Sequence, residues 1–391
     1  MPSPPAAARL SSENQVPEAK TVMLEPSALD ELVQVLRGRG HRVVGPTVRD
    51  GAIVLDELES AAELPIGVGD VQAPGSYRLR ERGDESRFGY AASPHSPKQF
   101  LFPASTRLFG ARRDGADVEF EEPAAPDRPL ALFVRPCELH GIAVQDRVFL
   151  HGKWVDRDYD LRRQGAFVVV VECGTPAGTC FCTSTGTGPT ADGPYDLALT
   201  EILSGEHRFL ARAGSDAGAE VLDALTSREA TDSDLEDAVQ VTRTAAEAIG
   251  RRLDTDDLRG LLERSRESAR WHDVAARCLS CTNCTLVCPT CFCSSAEDVT
   301  SLDGTESERV RRWDSCFSID HSYIHGGAVR PSSPARYRQW LTHKFGTWID
   351  QFGTSGCVGC GRCIAWCPVG IDVTEELAAL RAEEEASHAN H

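Results

Sequence analysis

The sequence predicts an α+β protein, with an α/β domain in its N-terminal half and a helical, cysteine-rich domain in its C-terminal half. Three observations lead there. Two continuous apolar runs, LALFV at 130–134 and AFVVVV at 166–171, alternate with helical patterns, as in a sheet covered on both faces. At 229–277 the text turns to charged amphipathic segments. Beyond them, eight cysteines fall into two copies of one spacing.

The elements follow in order. Residues 1–20, rich in Pro, Ala, Ser and Glu, predict a disordered lead-in. SALDELVQVLRG (27–38) spaces its Leu and Val helically behind Ser27, and HRVVG and GAIVLDEL read as strands. RPLALFVRPCELHGIAVQDRVFL (128–150) predicts a buried strand, a turn at Pro136 and a helix. QGAFVVVVECGTPAGTCFCTSTGTGP (164–189) predicts a second buried strand entering a Gly/Thr-rich loop. HRFLARAG and SDAGAEVLDAL close this domain, giving an α/β unit over 21–228. Two helices then deliver the chain to Cys278. The second domain covers 229–391 and holds a long insertion, 294–350, whose SPARYRQWLTHKFGTWIDQF is helix-like. The tail TEELAALRAEEEASHANH predicts a short helix with an acidic end.

A chain of 391 residues with net charge −18 offers little to a nucleic-acid backbone, which needs clustered Lys and Arg. The N-terminus has no apolar stretch of signal-peptide length, and 166–171 is far too short to span a bilayer. The expectation is a cytoplasmic protein that meets protein partners. Fifteen cysteines, an odd number without an export signal, then argue for metal ligation rather than disulfides.

Cys278, Cys281, Cys284 and Cys288-Pro289 repeat as Cys357, Cys360, Cys363 and Cys367-Pro368. This is the spacing of two-cluster ferredoxins. Three thiolates on a tight loop converge on one cubane, and the fourth, a helical turn further on, reaches the other. The ligand sets are therefore crossed. One [4Fe–4S] cluster takes Cys278, Cys281, Cys284 and Cys367; the other takes Cys357, Cys360, Cys363 and Cys288. Zinc fits worse, because its sites use two Cys pairs separated by a longer loop. The glycines of CVGCGRC, absent from CLSCTNC, suggest closer backbone approach to sulfur in the second loop and unequal potentials.

Seven cysteines remain. Cys180-Phe181-Cys182 mirrors Cys291-Phe292-Cys293. Cys137, Cys173, Cys180 and Cys182 sit at strand ends or in loops of the α/β domain and could hold a third iron–sulfur cluster; the plainer alternative is buried free thiols. Cys291, Cys293 and Cys316 would need His, Asp or water to complete a site. His321 and His325 are spaced to share a helix face, as structural histidines or as a metal pair. GTGTGP matches neither a phosphate loop nor G-x-G-x-x-G, so no nucleotide fingerprint is expected.

The long helix-like insertion between the two motifs resembles the all-helical ferredoxin domain of succinate dehydrogenase-type iron–sulfur subunits. That makes the expected fold an N-terminal α/β domain followed by an all-helical ferredoxin-like domain with two [4Fe–4S] clusters. CTLVCPTCFC, WDSCFSIDHSYIHGG, RYRQWLTHKFGTW and GCVGCGRCIAWCPVGIDVTEE resemble the iron–sulfur beta subunit of cytosolic NADP-linked [NiFe] hydrogenases, the sulfhydrogenases. RPCELHGIAVQDRVF and GTCFCTSTGTGPTADGPYDLALTE resemble its N-terminal half. The resemblance implies an electron-transfer subunit, not catalytic alone, between a [NiFe] hydrogenase core of small and large subunits and an NAD(P)H-binding flavoprotein subunit. The dicluster subunit of anaerobic sulfite reductase is a related alternative, implying the same relay in a sulfite or polysulfide reductase. A third alternative is a reductase with its own metal site in the N-terminal domain.

Overall fold

A computed structural model describes residues 20–122 and 125–389. The lead-in expected over residues 1–20 lies outside them, apart from Lys20. Strand β1 (Thr21–Leu24) is followed by the helix Ala28–Gly38 and by β2 (Arg42–Arg49) and β3 (Ala52–Glu57). Two hairpins come next, β4 (Val68–Ala73) with β5 (Ser76–Glu81) and β6 (Ser105–Asp114) with β7 (Asp117–Glu121). The two apolar runs form β8 (Leu130–Val134) and β9 (Phe167–Val171). Strands β10 (Leu197–Ile202), β11 (Arg208–Ala213) and β12 (Arg228–Glu229) complete the larger sheet.

That sheet has eight strands in the order β12-β1-β11-β10-β9-β8-β2-β3. Four adjacent strands, β10, β9, β8 and β2, are parallel, and the strands flanking them pair antiparallel. Side chains of β8 and β9 alternate between two cores, as the pleat requires. Ala131, Phe133, Val169 and Val171 pack beneath the helices Ala28–Gly38 and Asp216–Asp223. Leu132, Val134, Val168 and Val170 pack beneath the helix Pro136–Phe149. Burial on both faces explains why these runs read as unbroken apolar text. At the carboxyl ends of β8 and β9 the chain turns through Pro136-Cys137 and Glu172-Cys173.

The cysteine-rich half is built round its own core, in which Trp271, Phe317, Tyr337, Trp340, Phe345, Ile364 and Leu377 meet. It is not all-helical. Within the insertion, β13 (Ser294–Thr300) and β14 (Glu306–Trp313) form a hairpin that continues onto β6, from Glu306↔Arg112 to Arg312↔Ser105. The result is a four-stranded sheet, β13-β14-β6-β7, assembled from both halves of the sequence. The local cause is a charge-alternating, partly β-branched pattern in SSAEDVT and ESERVRRW, with Gly304 at φ +69° in the connecting turn. Arg309 pairs with Asp298 at 2.7 Å and Arg312 with Glu297 at 3.2 Å across the strands. The later part of the insertion is helical, over Ser333–Thr342, a π-helical turn His343–Thr347, and Trp348–Phe352. The terminal helix, Val373–Ala389, is 17 residues long rather than short. Among the described residues, no helix is long and apolar enough to cross a membrane.

Arg362 locks the two halves together. It is fully buried and donates from Nε to Ser93 O at 2.6 Å, from Nη2 to His95 O at 3.1 Å, and to the Glu138 carboxylate. Glu138, in the first turn of the helix after β8, also accepts from Arg135 N at 2.7 Å. Arg362→Met leaves Glu138 buried without its cation. We expect it to cost about 3–5 kcal/mol, measured as a lower denaturation midpoint.

Candidate functional site

Each cysteine motif is a loop with the same backbone path. The helix Arg270–Arg277 ends at Cys278, the chain turns twice through left-handed residues, and a short helix, Asn283–Leu286, carries it to Cys288. In the repeat a short helix, Arg362–Ala365, leads to Cys367. The left-handed positions are Ser280 (φ +51°) and Thr282 (φ +69°) in one loop, Gly359 (φ +59°) and Gly361 (φ +73°) in the other. Both loops aim an N–H at sulfur over the same distance: Ser280 N to Cys278 Sγ and Gly359 N to Cys357 Sγ, each 3.4 Å. Closer approach to sulfur in the glycine loop is therefore not observed.

The glycines answer to a different constraint. A Cβ on Gly359 would stand 2.6 Å from Cys182 Cα, and one on Gly361 would collide with the Thr179 carbonyl. The loop 357–361 lies backbone to backbone on 179–182: Phe181 N donates to Gly359 O at 2.8 Å, and Thr187 Oγ1 to Val358 O at 2.7 Å. Ser280 and Thr282 face no such neighbour and bear the left-handed strain as ordinary residues, at a cost of about 1–2 kcal/mol each.

The structure brings thiols of the two motifs close to one another. Cys278, Cys281, Cys284 and Cys367 line one cavity, which Cys363 also reaches, walled by Phe317, Tyr337, Trp340, Ile371 and Val373. Burial pushes the Cys284 thiol well up, and the thiols adding most to this are Cys278, Cys367 and Cys281. Burial likewise raises Cys363, with Cys357, Cys360 and Cys288 adding most. Cys357 is pushed up to about 12 by burial. Cys281 is exposed whereas Cys288 and Cys360 are buried, so the first group opens to solvent and the second lies inside. Ile371 N donates to Cys367 Sγ at 3.3 Å. Buried thiols that resist ionisation, as Cys278, Cys284, Cys357 and Cys363 do, suit a cationic inorganic core, which removes the penalty as the protons leave. Among the described residues, no three His, Cys, Asp or Glu side chains are gathered to hold a single metal ion; the ligands of a cubane bind separate irons.

Cys288 runs the other way. It is held well below the ordinary thiol value by a hydrogen bond from Cys291 and by Lys344. Lys344, 3% exposed, donates from Nζ to Cys288 Sγ at 3.3 Å, Thr290 Oγ1 at 3.3 Å and Gly356 O at 2.9 Å. Burial acts to lower its pKa, but the surrounding thiols outweigh that and keep it charged. Lys98, 4% exposed, reaches Leu286 O at 3.0 Å and lies 4.0 Å from the centre of the Trp313 ring; burial lowers its pKa. Neither lysine was singled out from the sequence, since each lies far along the chain from the motif it serves and carries no local signal.

The surplus thiols separate into two groups. Cys291 stands beside Cys288. Cys293 is lowered to about 4 by a hydrogen bond from Cys316 and by His321, whose own pKa rises to about 9 through Cys293 and Asp314. His321 Nδ1 is 3.0 Å from Asp314 Oδ2. His321 and His325 do not share a helix face; Tyr323–Ile324 between them is extended and His325 has φ +51°. Cys137, Cys173, Cys180 and Cys182 gather on the side of Cys360, where Cys180 Sγ is 3.9 Å from Cys360 O.

A model of the 4Fe-4S dicluster domain matches residues 277–371, the stretch that carries both loops. A protein of Pyrococcus furiosus named sulfhydrogenase 2 subunit beta is 32% identical over 318 residues, covering 80% of this chain and 91% of the relative. The chain belongs to the sulfhydrogenase beta-subunit family. As a sulfhydrogenase beta-type subunit it is an iron–sulfur protein with an electron-transfer role in an oxidoreductase.

Two outcomes are expected. Gly359→Ala should lower stability by more than 1–2 kcal/mol, roughly the left-handed penalty alone, because Cys182 leaves the new methyl no room; thermal unfolding measures it. Lys344→Met removes a buried positive charge beside Cys288, so the midpoint potential of one iron–sulfur cluster should fall while the other holds, read by redox titration.

Proposed function

We propose that this chain carries electrons inside a hydrogenase complex, between a [NiFe] core of small and large subunits and an NAD(P)H-binding flavoprotein subunit. In this reading Cys278, Cys281, Cys284 and Cys367 hold one [4Fe–4S] cluster, and Cys357, Cys360, Cys363 and Cys288 hold the second. The observation that carries it is that Cys367, from the distant repeat, lines one cavity with Cys278, Cys281 and Cys284, which Cys363 reaches from the second motif.

Bound cubanes supply one-electron carriage at potentials that their surroundings set. The protein's own groups account for the rest. The left-handed turns point amides at Cys278 and Cys357, and Ile371 serves Cys367. Phe317, Tyr337 and Trp340 wall the first group on its core side. Lys344 places a fixed positive charge against Cys288 within the second, where loss of an electron is made harder. The exposure of Cys281 suits the first group to exchange with a partner and the burial of Cys360 suits the second to internal transfer. The relative's designation as a beta subunit, with 91% of its length matched, supports an assembly of several chains.

Cys284→Ala in the assembled complex should remove about four irons per chain and abolish pyridine-nucleotide-linked hydrogen turnover. Turnover persisting at the wild-type rate would rule out the relay.

A further inference from the structure

Cys137, Cys173, Cys180 and Cys182 come from three separate segments to one place, the carboxyl ends of parallel strands β8 and β9. Cys137 follows Pro136 in the first turn of the helix after β8, and Cys173 lies just beyond β9. Cys180 and Cys182 return in the loop capped by the short helix Cys182–Thr185. Cys180 and Cys182 are 7% exposed each and pack with Cys137 among Ala91, Ala177 and Ile249. Cys173 N donates to Pro189 O at 3.1 Å, while a Cβ on the adjacent Gly188 would lie 3.4 Å from both Cys182 Sγ and Pro136 Cβ. All three segments thus meet around Gly188-Pro189. Cys173 and Cys182 are the thiols nearest in effect to Cys180, after burial itself.

A second observation is electrostatic. Arg135, 3% exposed, sits beside Cys173. Its guanidinium donates only to carbonyls, Phe88 O and Tyr90 O at 2.5 Å, Glu172 O at 3.2 Å and Val171 O at 3.4 Å, and its Nε has no partner among the described residues. The nearest candidate counter-charge, Glu138, gives one oxygen to Arg135's backbone N–H and the other to Arg362. Asp70 is committed to Gln72 and Ala91 N, and burial raises its pKa, toward neutrality. The second acid that acts on Arg135, Glu201, is likewise taken up by Ser86, Arg87 N, Phe88 N and His207, so among the described residues the Arg135 guanidinium has no carboxylate bonded to it. A buried cation left so is costly unless an anion stands near. Four thiolates outweigh the charge of an iron–sulfur core, so a cluster on these cysteines brings net negative charge to that spot.

We propose that Cys137, Cys173, Cys180 and Cys182 hold a third iron–sulfur cluster, set against the Cys360 side of the dicluster domain. It rests on the reading of the chain as an electron carrier and extends the carrier into the α/β domain. The 179–182 loop that would hold it is the one on which Gly359 and Gly361 lie, so the supports of the two sites are a single packed unit.

The test is iron and acid-labile sulfide per full-length chain, purified anaerobically. Two cubanes account for about eight irons, and a third cluster adds about two or four according to type. A total of about ten or twelve is expected. About eight irons would overturn the third cluster and leave the dicluster standing; no iron, or zinc in its place, would end both. The Cys180→Ser/Cys182→Ser variant should lose about two to four irons while the electron paramagnetic resonance signals of the reduced dicluster persist. Unchanged iron in that variant would overturn the assignment. Should it fail to fold, Cys173→Ser repeats the measurement at a position that does not touch the Gly359 loop.

Discussion

The contact between residues 357–361 and residues 179–182 governs much of this molecule. Phe181 donates its amide to Gly359 O at 2.8 Å, and there is no space for a side chain on either glycine of the loop. A cysteine loop that has to be left-handed at two positions can use Ser and Thr, as the first motif does. It needs glycine only where another backbone presses on it. The consequence is that the second group of motif thiols is formed against the α/β domain, whereas the first faces outward through Cys281.

The same junction concentrates buried charge. Arg135, Arg362 and Lys344 are each at most 3% exposed, and Glu138 is 3% exposed. Water does not screen these groups, so their fields act at close to full strength on whatever the thiols hold. Lys344 touches Cys288 directly and Arg362 lies beside Cys360 and Cys137. Placing fixed positive charge round electron-rich sulfur is one of the few means a protein has of setting a cluster's potential. The difference between the two motif sites then comes from residues outside the motifs, not from the Gly-for-Ser replacement within them.

Much of this was legible in the sequence, and the parts that were not share a physical reason. Apolar runs at 130–134 and 166–171 announced the parallel strands because both faces of that sheet are covered. The spacing of the eight motif cysteines is local geometry repeated twice, and both loops pass through two left-handed residues into a short helix. The hairpin β13–β14 was missed. Its residues are mostly polar or charged on both faces, with Val310 the one buried apolar side chain among them, so no apolar period of two marks them, and its partner β6 lies far back in the chain. Lys344, Lys98, Arg135 and Arg362 were missed for the same cause, since buried charge becomes meaningful only once distant segments meet. The glycines of CVGCGRC were noticed, but the reason for them lay in Cys182 and Thr179, which sequence alone could not bring near.

The sheet β13-β14-β6-β7 draws two strands from each half of the gene product. An excised cysteine-rich half would carry β14 with the open edge that β6 normally covers, and the excised front half would expose β6 in turn. Bare strand edges recruit further chains. Truncated forms should therefore come out as aggregates rather than as independent modules, and a host making this polypeptide must finish both halves before either is safe in solution.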